Sequence, residues 1–294
     1  MLGSSRKLRN AGAFAIFLGP SLLVFICVLL IPLLYGIFLT FTNYSPITET
    51  MDFVGLANYA EVFSDKVFLA QFGKTLGYVL YATVFCNITA FVLAYILTSK
   101  VKFQSPVRTG FFTPNLIGGI VLGYIWKFIF ANVITQIGKA MEYAPLSRSF
   151  LTDPDKAIVA MVIVTVWQYA GYLMMIYIAG FVSIPKDVLE AASIDNATGL
   201  KKIFNITIPL MIPSFIICFF ISISRCFMTY DMNFSLTAGG PYGSSQLASM
   251  HIYQKAFQSN RYATGQAEAI VLFIVVAAVA VSQALLAKRF EVEA

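Results

Sequence analysis

"AFAIFLGPSLLVFICVLLIPLLYGIFLTF", residues 13–41, decides the class of this protein, because it carries no charged residue over a length greater than a bilayer requires. About 20 apolar residues are enough for a helix to cross the hydrocarbon core. The apolar region of a cleaved signal peptide is shorter, about 7–15 residues. Although Arg6, Lys7 and Arg9 precede the stretch as they would in a signal peptide, we interpret it as a retained transmembrane span.

The composition extends this interpretation to the whole chain. Of the 294 residues, 59% are hydrophobic and 12% are charged, whereas soluble domains carry about 25% charged residues. Because backbone groups in lipid must be hydrogen-bonded within their own segment, apolar runs of this length are helices. We predict an all-α polytopic membrane protein, one domain over residues 1–294, with transmembrane helices at 13–41, 72–97, 107–130, 157–182, 210–230 and 265–287.

The distribution of Lys and Arg predicts the orientation of these spans. Basic residues accumulate on the cytoplasmic side of a membrane. An even number of spans places both termini on one side, together with Lys100, Lys102, Arg108, Lys186, Lys201 and Lys202. We therefore expect both termini in the cytoplasm. The net charge of +6 reflects this topology and lipid contact, and it gives no support to nucleic-acid binding.

The residues that most enzymes need are scarce. His251 is the only histidine, and all four cysteines lie in apolar runs without a CxxC pair, so the sequence predicts no catalytic residues, no metal site and no cofactor. A Walker A motif is absent: Gly73-Lys74-Thr75 resembles its end, but the earlier glycine is replaced by Phe68. The chain is not expected to be an enzyme or to hydrolyse ATP itself.

A polar insert, "SIPKDVLEAASIDNATGLKKIFNITIPLMIPS" at 183–214, lies on the cytoplasmic side of this topology. Pro185 suits the first turn of a helix over Lys186–Ile194. Asn196 and Gly199 tolerate the left-handed backbone of a turn, and a second short helix is expected at 200–208. Taken alone, the pattern is compatible with a projecting helix-turn-helix step or with an ordinary solvated loop.

The insert resembles the EAA loop of permease subunits of bacterial ABC importers, with Glu190-Ala191-Ala192, Asp195 and Ile208-Pro209 in the corresponding order. Four further stretches resemble the carbohydrate-uptake permeases, the group of maltose, multiple-sugar and glycerol-phosphate importers. They are "FVGLANY" at 53–59, "RTGFFTPNLIGGIVLGYIWKFIF" at 108–130, "LTAGGPYG" at 236–243 and "HIYQKAF" with "GQAEAIVLFIV" at 251–275. The resemblance departs at Asn196, where these permeases usually have glycine.

The resemblance implies that the segment at about 183–205 is a coupling helix that docks on a dimeric ATP-hydrolysing subunit. Its contact residues would be Glu190, Ala191, Ala192, Asp195, Asn196 and Gly199. The further partners it implies are a second homologous six-span permease, an extracytoplasmic substrate-binding protein and a carbohydrate. The implied location is the bacterial cytoplasmic membrane.

Polar residues inside spans are candidates for a substrate site, because burying them in lipid is costly. We assign this role to Trp167, Gln168, Tyr172, Arg225, Tyr230, Asp231 and Asn233, since sugars require flat aromatic faces and amide or carboxylate groups. For Trp167, a place in the interfacial aromatic belt or in helix packing is an equal alternative. Arg225 could bind substrate or form a salt bridge with a partner permease. A direct pair with Asp231, six residues further on, is doubtful.

The predicted function is import of a carbohydrate, an oligosaccharide by preference, by alternating access. Import of glycerol-phosphate or another anionic sugar derivative is the alternative within this class. An ATP-independent channel or a secondary carrier is the alternative from another class.

Overall fold

The computed structural model describes residues 16–47, 50–99, 103–195, 197 and 199–290, and most of these residues are helical. The one β-contact among them is an isolated bridge between Thr42 and Phe53. The helices are α1 (Ile16–Leu39), α2 (Ala57–Ser64), α3 (Lys66–Thr98), α4 (Gln104–Phe112), α5 (Gly119–Ala140), α6 (Pro154–Ser183), α7 (Lys186–Ile194), α8 (Gly199–Leu210), α9 (Ile212–Phe227), α10 (Asp231–Leu236), α11 (Ala248–Tyr253) and α12 (Tyr262–Phe290).

Five of these helices, α1, α3, α5, α6 and α12, are long and apolar enough to cross a membrane. Helices α8 and α9 pass the same test as a pair that bends by 74°, so the described residues hold up to six candidate spans when that pair is counted as one. The predicted class, an all-α polytopic membrane protein, is confirmed.

The third span differs from the prediction. A single helix over residues 107–130 is wrong, because the chain forms α4, a 3-10 turn at Thr113–Leu116 and then α5, which continues to Ala140. Pro114 lacks the N–H that a continuing helix would use. Ile117 and Gly118 are extended, with ψ of 125° and 143°, so α4 and α5 are separate helices.

The fifth span is also shorter than predicted. Instead of one helix over residues 210–230, α8 ends at Leu210, and α9 runs from Ile212 to Phe227 after the 74° bend. Pro209 and Pro213 flank the bend, where each can occupy a first helical turn without losing a hydrogen bond. The chain then leaves the helix at residues 228–230 before α10 begins.

Two compact units are distinguished within the chain. The first contains the described residues up to Lys66 together with Ile252–Val271, and the second contains Val67–His251 together with the described residues from Leu272. The organisation of residues 1–294 as one six-span domain stays a prediction.

A charge cluster holds the first unit together around Lys255. Its ammonium lies 2.6 Å from Asp65, 3.4 Å from Glu268 and 3.6 Å from Glu61. The Glu268 side chain is 0% exposed and that of Lys255 is 13% exposed. Burial lowers the pKa of Lys255, but the hydrogen bond to Asp65 and the nearby negative charges outweigh this effect, so the pKa lies above its ordinary value. The lysine is therefore charged at neutral pH and compensates a buried carboxylate.

Small residues on one face of α3 let the second unit pack closely. Ala82, Cys86, Ala90 and Ala94 recur every four residues and are buried, and such small-residue stripes allow membrane helices to approach each other. Asn87 joins three helices beside this stripe. It donates to Ser222 Oγ on α9 at 3.0 Å and accepts from Tyr177 on α6 at 2.8 Å. Asn87 is thus an interhelical hydrogen-bonding residue.

Two glycines mark places where backbones touch. A Cβ on Gly171 of α6 would lie 1.7 Å from the carbonyl oxygen of Phe111 in α4, and a Cβ on Gly123 of α5 would lie 1.9 Å from Ser235 Oγ in α10. These contacts fix α4 against α6 and α5 against α10. Of these four helices, α5, α6 and α10 contribute residues to the polar cavity described below.

Candidate functional site

Arg225 lies in the last turn of α9 and is partly buried among polar and aromatic groups. Its guanidinium carbon is 4.9 Å from the ring centre of Tyr169 and 5.0 Å from that of Tyr172. Nη1 donates a hydrogen bond of 2.9 Å to Asn115 Oδ1. The aromatic faces and the amide stabilise the cation without neutralising it, because no carboxylate among the described residues lies within salt-bridge distance of Arg225, Asp231 included.

A cavity of about 350 Å³ opens beside Arg225. Gln168 is buried in its wall and donates from Nε2 to the Ile117 carbonyl at 3.1 Å. That carbonyl and Asn115 both come from the break between α4 and α5, so the break supplies polar groups that a continuous helix would conceal. The cavity is lined by Gly119, Thr165, Gln168, Tyr169, Arg225, Met228, Thr229, Tyr230, Asp231 and Met232.

The chemistry of the cavity is that of a recognition site for a polar molecule. It offers an unneutralised guanidinium, the exposed carboxylate of Asp231, hydroxyl groups and the rings of Tyr169 and Tyr230. Aromatic faces can cover the apolar face of a sugar ring, while amide and charged groups bind its hydroxyls.

The structure brings together five of the residues that the sequence assigned to a substrate site. Gln168, Arg225, Tyr230 and Asp231 line the cavity, and Tyr172 packs on Arg225 from behind. These assignments stay predictions of binding, but their proximity is now established.

Two assigned residues lie elsewhere. Trp167 is 42% exposed on another face of α6 and packs edge-on against Trp126 at 5.5 Å. It lines a separate apolar cavity of about 820 Å³. Asn233 is 0% exposed, and its amide donates to the Ser245 carbonyl and accepts from the Leu247 N–H. Asn233 thus holds an outer loop and does not face the cavity.

Asn115, which accepts the hydrogen bond of Arg225 beside the cavity, is a residue that the sequence analysis did not assign. Its signal was visible, since it follows Pro114 inside an otherwise apolar run. A polar side chain directly after a helix-breaking proline indicates exposed backbone and a lined cavity.

The predicted helix-turn-helix step lies within the second unit and comprises α7 and the start of α8. Helix α7 spans Lys186–Ile194 as predicted, and Gly199 has φ of +57°, which glycine adopts without strain. The N–H of Ala197 bonds to the Ala192 carbonyl at 2.9 Å and closes the turn. Asn196, the position where the resemblance departs, lies outside the described residues.

The side chains of this step present a mixed surface. Glu190, Ala191, Asp195 and Gly199 are exposed, whereas Ala192 is buried against the rest of the protein. Apolar side chains are exposed around them, namely Ile194, Leu200 and Phe204. An exposed apolar patch beside acidic groups is typical of a surface that another protein covers.

Comparison with known proteins identifies relatives along the whole chain. The probable starch degradation products transport system permease protein AmyD of Thermoanaerobacterium thermosulfurigenes is 37% identical over 293 residues, which cover 100% of both chains. The multiple sugar-binding transport system permease protein MsmF of Streptococcus mutans is 32% identical over 89% of this chain and 90% of its own.

The fold itself is shared with a solved membrane transporter. A chain from the crystal structure of a bacterial ABC transporter involved in the import of the acidic polysaccharide alginate superposes with a TM-score of 0.84 at 20% identity, covering 98% of this chain and 99% of that chain. A family model described as binding-protein-dependent transport system inner membrane component matches residues 15–292. The protein is therefore an integral membrane protein that belongs to the family of binding-protein-dependent transport system inner membrane components.

Proposed function

We propose that this protein is a permease subunit of an ATP-driven importer and that it translocates a carbohydrate, an oligosaccharide by preference, by alternating access. The names of its relatives support a sugar, since AmyD is named for starch degradation products and MsmF for multiple sugars. The observation that carries the proposal is the polar, aromatic cavity beside Arg225, built at the break of one membrane helix and the end of another.

The cavity residues have distinct roles in this proposal. Tyr169 and Tyr230 offer ring faces to the apolar face of a sugar, and Asp231 accepts hydrogen bonds from its hydroxyls. Tyr172 and Asn115 hold the Arg225 side chain in place. A site of this kind, formed where helices are interrupted, is where substrates of membrane transporters are bound and released.

The cytoplasmic step transmits the movement of a partner ATPase. Glu190 and Asp195 offer charges to a basic groove on that subunit, and Ala191 permits close backbone approach. Since α8 follows the turn at Gly199 and leads through the 74° bend into α9, a displacement of the step would tilt the helix that carries Arg225. ATP binding would thereby open or close the cavity.

The remaining partners and the orientation follow from the same proposal. A second homologous permease completes the translocation path, a dimeric ATPase binds in the cytoplasm, and an extracytoplasmic binding protein delivers the sugar. Both termini lie in the bacterial cytoplasm.

Thiol labelling of single cysteines introduced near Ile16 and Tyr242 tests this topology, because an impermeant maleimide should label only the second position in intact cells.

Uptake of radiolabelled maltooligosaccharides by cells that express the whole transporter tests the substrate site. We expect Tyr169→Leu and Gln168→Leu to reduce the initial rate at least about tenfold, because each removes a polar or aromatic group that the substrate would contact. Trp167→Leu is a matched control on another face of the same helix and should remain within about twofold of wild type. Equal loss in all three variants, at equal expression, would contradict the proposed site.

Import of an anionic sugar derivative is a second candidate function, and one observation favours it. Arg225 has no carboxylate within salt-bridge distance among the described residues, so it could balance the charge of a phosphate or uronate. Competition of unlabelled glycerol-phosphate, a uronate oligomer and a neutral maltooligosaccharide against labelled uptake distinguishes the two candidates. In an anion importer, Arg225→Gln should weaken competition by the charged compounds selectively.

A further inference from the structure

A buried hydroxyl group lies directly behind the polar cavity. Tyr78 of α3 is 0% exposed and is not one of the residues that line the cavity. Its Oη lies 2.7 Å from Thr165 Oγ1 on α6 and 3.3 Å from Thr229 Oγ1, which follows α9. Both threonines line the cavity. Tyr78 therefore joins two parts of the cavity wall from a position that a substrate does not reach.

The other partners of the two threonines indicate the direction of these hydrogen bonds. Thr165 donates its hydroxyl proton to the Met161 carbonyl at 2.9 Å, so Tyr78 is the donor to Thr165. Thr229 donates to the Arg225 carbonyl at 3.2 Å and also lies within reach of Tyr78 Oη. If the Tyr78 hydroxyl were removed, each threonine would keep its own helical partner but the link between them would be lost.

Thr229 belongs to the non-helical junction between α9 and α10, residues 228–230. Ser249 Oγ of α11 donates to the Thr229 carbonyl at 2.7 Å. Beyond the junction, a Cβ on Gly119 would lie 2.8 Å from Asp231 Cβ, so the start of α10 lies directly against α5. The junction is thus held from three sides, by α3, α11 and α5.

This junction separates the two charged groups of the cavity. Arg225 lies in the last turn of α9 and Asp231 is the first residue of α10, and both line the cavity. The structure nevertheless shows no salt bridge between these two described residues. Opposite charges attract each other more strongly beside protein than in bulk water. Their separation therefore depends on a backbone that is held in place.

We propose that Tyr78 is a positioning residue that acts through Thr229 and keeps Asp231 apart from Arg225, so that both charges remain available to a polar substrate. This inference rests on the proposed function of the cavity as the substrate site. Without the Tyr78 hydroxyl, the junction loses its link to α3, and Asp231 moves toward Arg225 to form an internal salt bridge. A sugar would then have to displace that salt bridge before it could bind either group.

A double-mutant cycle of uptake tests this role. The initial rate of labelled maltooligosaccharide uptake by cells that express the whole transporter is measured for Tyr78→Phe, for Asp231→Asn and for the two combined. Phenylalanine keeps the ring and removes only the hydroxyl. We expect Tyr78→Phe to lower the rate about tenfold when Asp231 is present, because hydrogen bonds to charged groups become unavailable to the substrate.

The same substitution should have an effect of less than about twofold in the Asp231→Asn background, where no salt bridge with Arg225 can form. Equal factors in the two backgrounds would overturn the proposal, because they would mean that Tyr78 supports the fold without positioning Asp231.

Tyr177→Phe is the matched control for the loss of a buried tyrosine hydroxyl. Tyr177 is also 0% exposed and donates to Asn87 Oδ1 at 2.8 Å, but neither residue lines the cavity. Both phenylalanine variants lose a buried hydrogen bond and should lower the melting temperature by similar amounts. Only Tyr177→Phe should keep uptake within about twofold of wild type. An equal loss of uptake in the two variants, at equal expression, would overturn the proposal.

Chemical modification of Arg225 tests the position of Asp231 without any sugar. Phenylglyoxal reacts faster with a guanidinium that has no carboxylate partner than with one in a salt bridge. The purified complex is treated with this reagent, and mass spectrometry quantifies the adduct at Arg225 over time. We expect Tyr78→Phe to slow the modification several-fold, and the combination with Asp231→Asn to restore the rate. An unchanged rate in Tyr78→Phe would contradict the positioning role.

The two readouts separate this inference from the proposed function. If the transported solute were not a carbohydrate, wild-type cells would not take up maltooligosaccharide, but the change in the modification of Arg225 would still be seen. If wild-type cells imported maltooligosaccharide and Tyr78→Phe changed neither uptake nor modification, the positioning role alone would be wrong.

Discussion

Gly171→Ala is expected to destabilise the protein, because the added methyl group has no space between α6 and α4. The new Cβ would lie 1.7 Å from the Phe111 carbonyl oxygen, whereas real contacts of this kind are no closer than 3.0 Å, so the helices must separate by about 1.3 Å. A backbone carbonyl cannot rotate away as a side chain can. Overpacking of this kind costs about 1–3 kcal/mol.

Gly77→Ala is the matched control. Gly77 lies in α3, and a Cβ there would meet nothing within 4 Å. Alanine favours a helix over glycine by up to about 1 kcal/mol, so this variant should be as stable as wild type or more stable. The comparison therefore separates the steric effect at Gly171 from a general effect of replacing glycine in a helix.

A thermal assay with a thiol-reactive coumarin maleimide measures both variants, because unfolding exposes buried thiols to the dye. Cys27, which is exposed, is replaced by serine in every sample to lower the background. At roughly 2–4 °C per kcal/mol, Gly171→Ala should melt several degrees below wild type. A melting temperature equal to that of Gly77→Ala would refute the close contact between α4 and α6. The reporting thiols are Cys86, Cys218 and Cys226, which are buried.

Three further predictions concern separate parts of the molecule. Asn87→Leu should lower the melting temperature by an amount equivalent to about 1–2 kcal/mol, since it removes hydrogen bonds that join three helices, and the same dye assay measures it. Lys255→Met should cost several kcal/mol because it removes the cation that compensates the buried carboxylate of Glu268, and adding Glu268→Gln should recover part of that loss. Folding raises the pKa of Lys255, so its contribution to the free energy of unfolding is complete below its unfolded pKa of about 10.4. That contribution declines as the pH rises through the higher folded pKa. Melting curves from pH 8 to 11 should show this decline in wild type and not in the double variant. Glu190→Ala should abolish ATP-driven uptake while the isolated ATPase stays active, whereas Asp187→Ala on the same helix should retain uptake.

Hydropathy was sufficient to predict the straight spans. Helix α6 was expected at 157–182 and runs over Pro154–Ser183. The added residues at its start are polar and form a capped first turn, where Asp153 accepts a hydrogen bond from the Asp155 N–H. Composition locates the apolar part of such a helix, whereas its ends depend on caps outside that part.

Breaks inside apolar runs were not predictable in the same way. The run at 107–130 is apolar on both sides of Pro114, so its hydropathy predicts one span. The backbone nevertheless leaves the helix at Ile117 and Gly118. The turn at Gly199 was predictable because glycine is unfavourable inside a helix and adopts a left-handed backbone without strain, so a glycine between two polar helical segments indicates a turn.

The candidate site was only partly predictable, since composition does not give the face of a helix. Trp167 and Gln168 are neighbours in sequence but lie about 100° apart around α6, and only Gln168 lines the cavity with Arg225. The ion pairs of Lys255 with Asp65 and Glu61 join residues about 190 positions apart in the chain, and no local pattern in the sequence indicates such pairs.

Uptake of labelled maltooligosaccharide into proteoliposomes that contain the purified complex is the most direct test of ATP-driven import through this chain. We predict uptake that requires ATP on the side of the ATPase and the binding protein on the opposite side, and that is lost in Glu190→Ala. Uptake that proceeds without ATP, or that persists in Glu190→Ala, would indicate a channel or a secondary carrier and would contradict the proposed function.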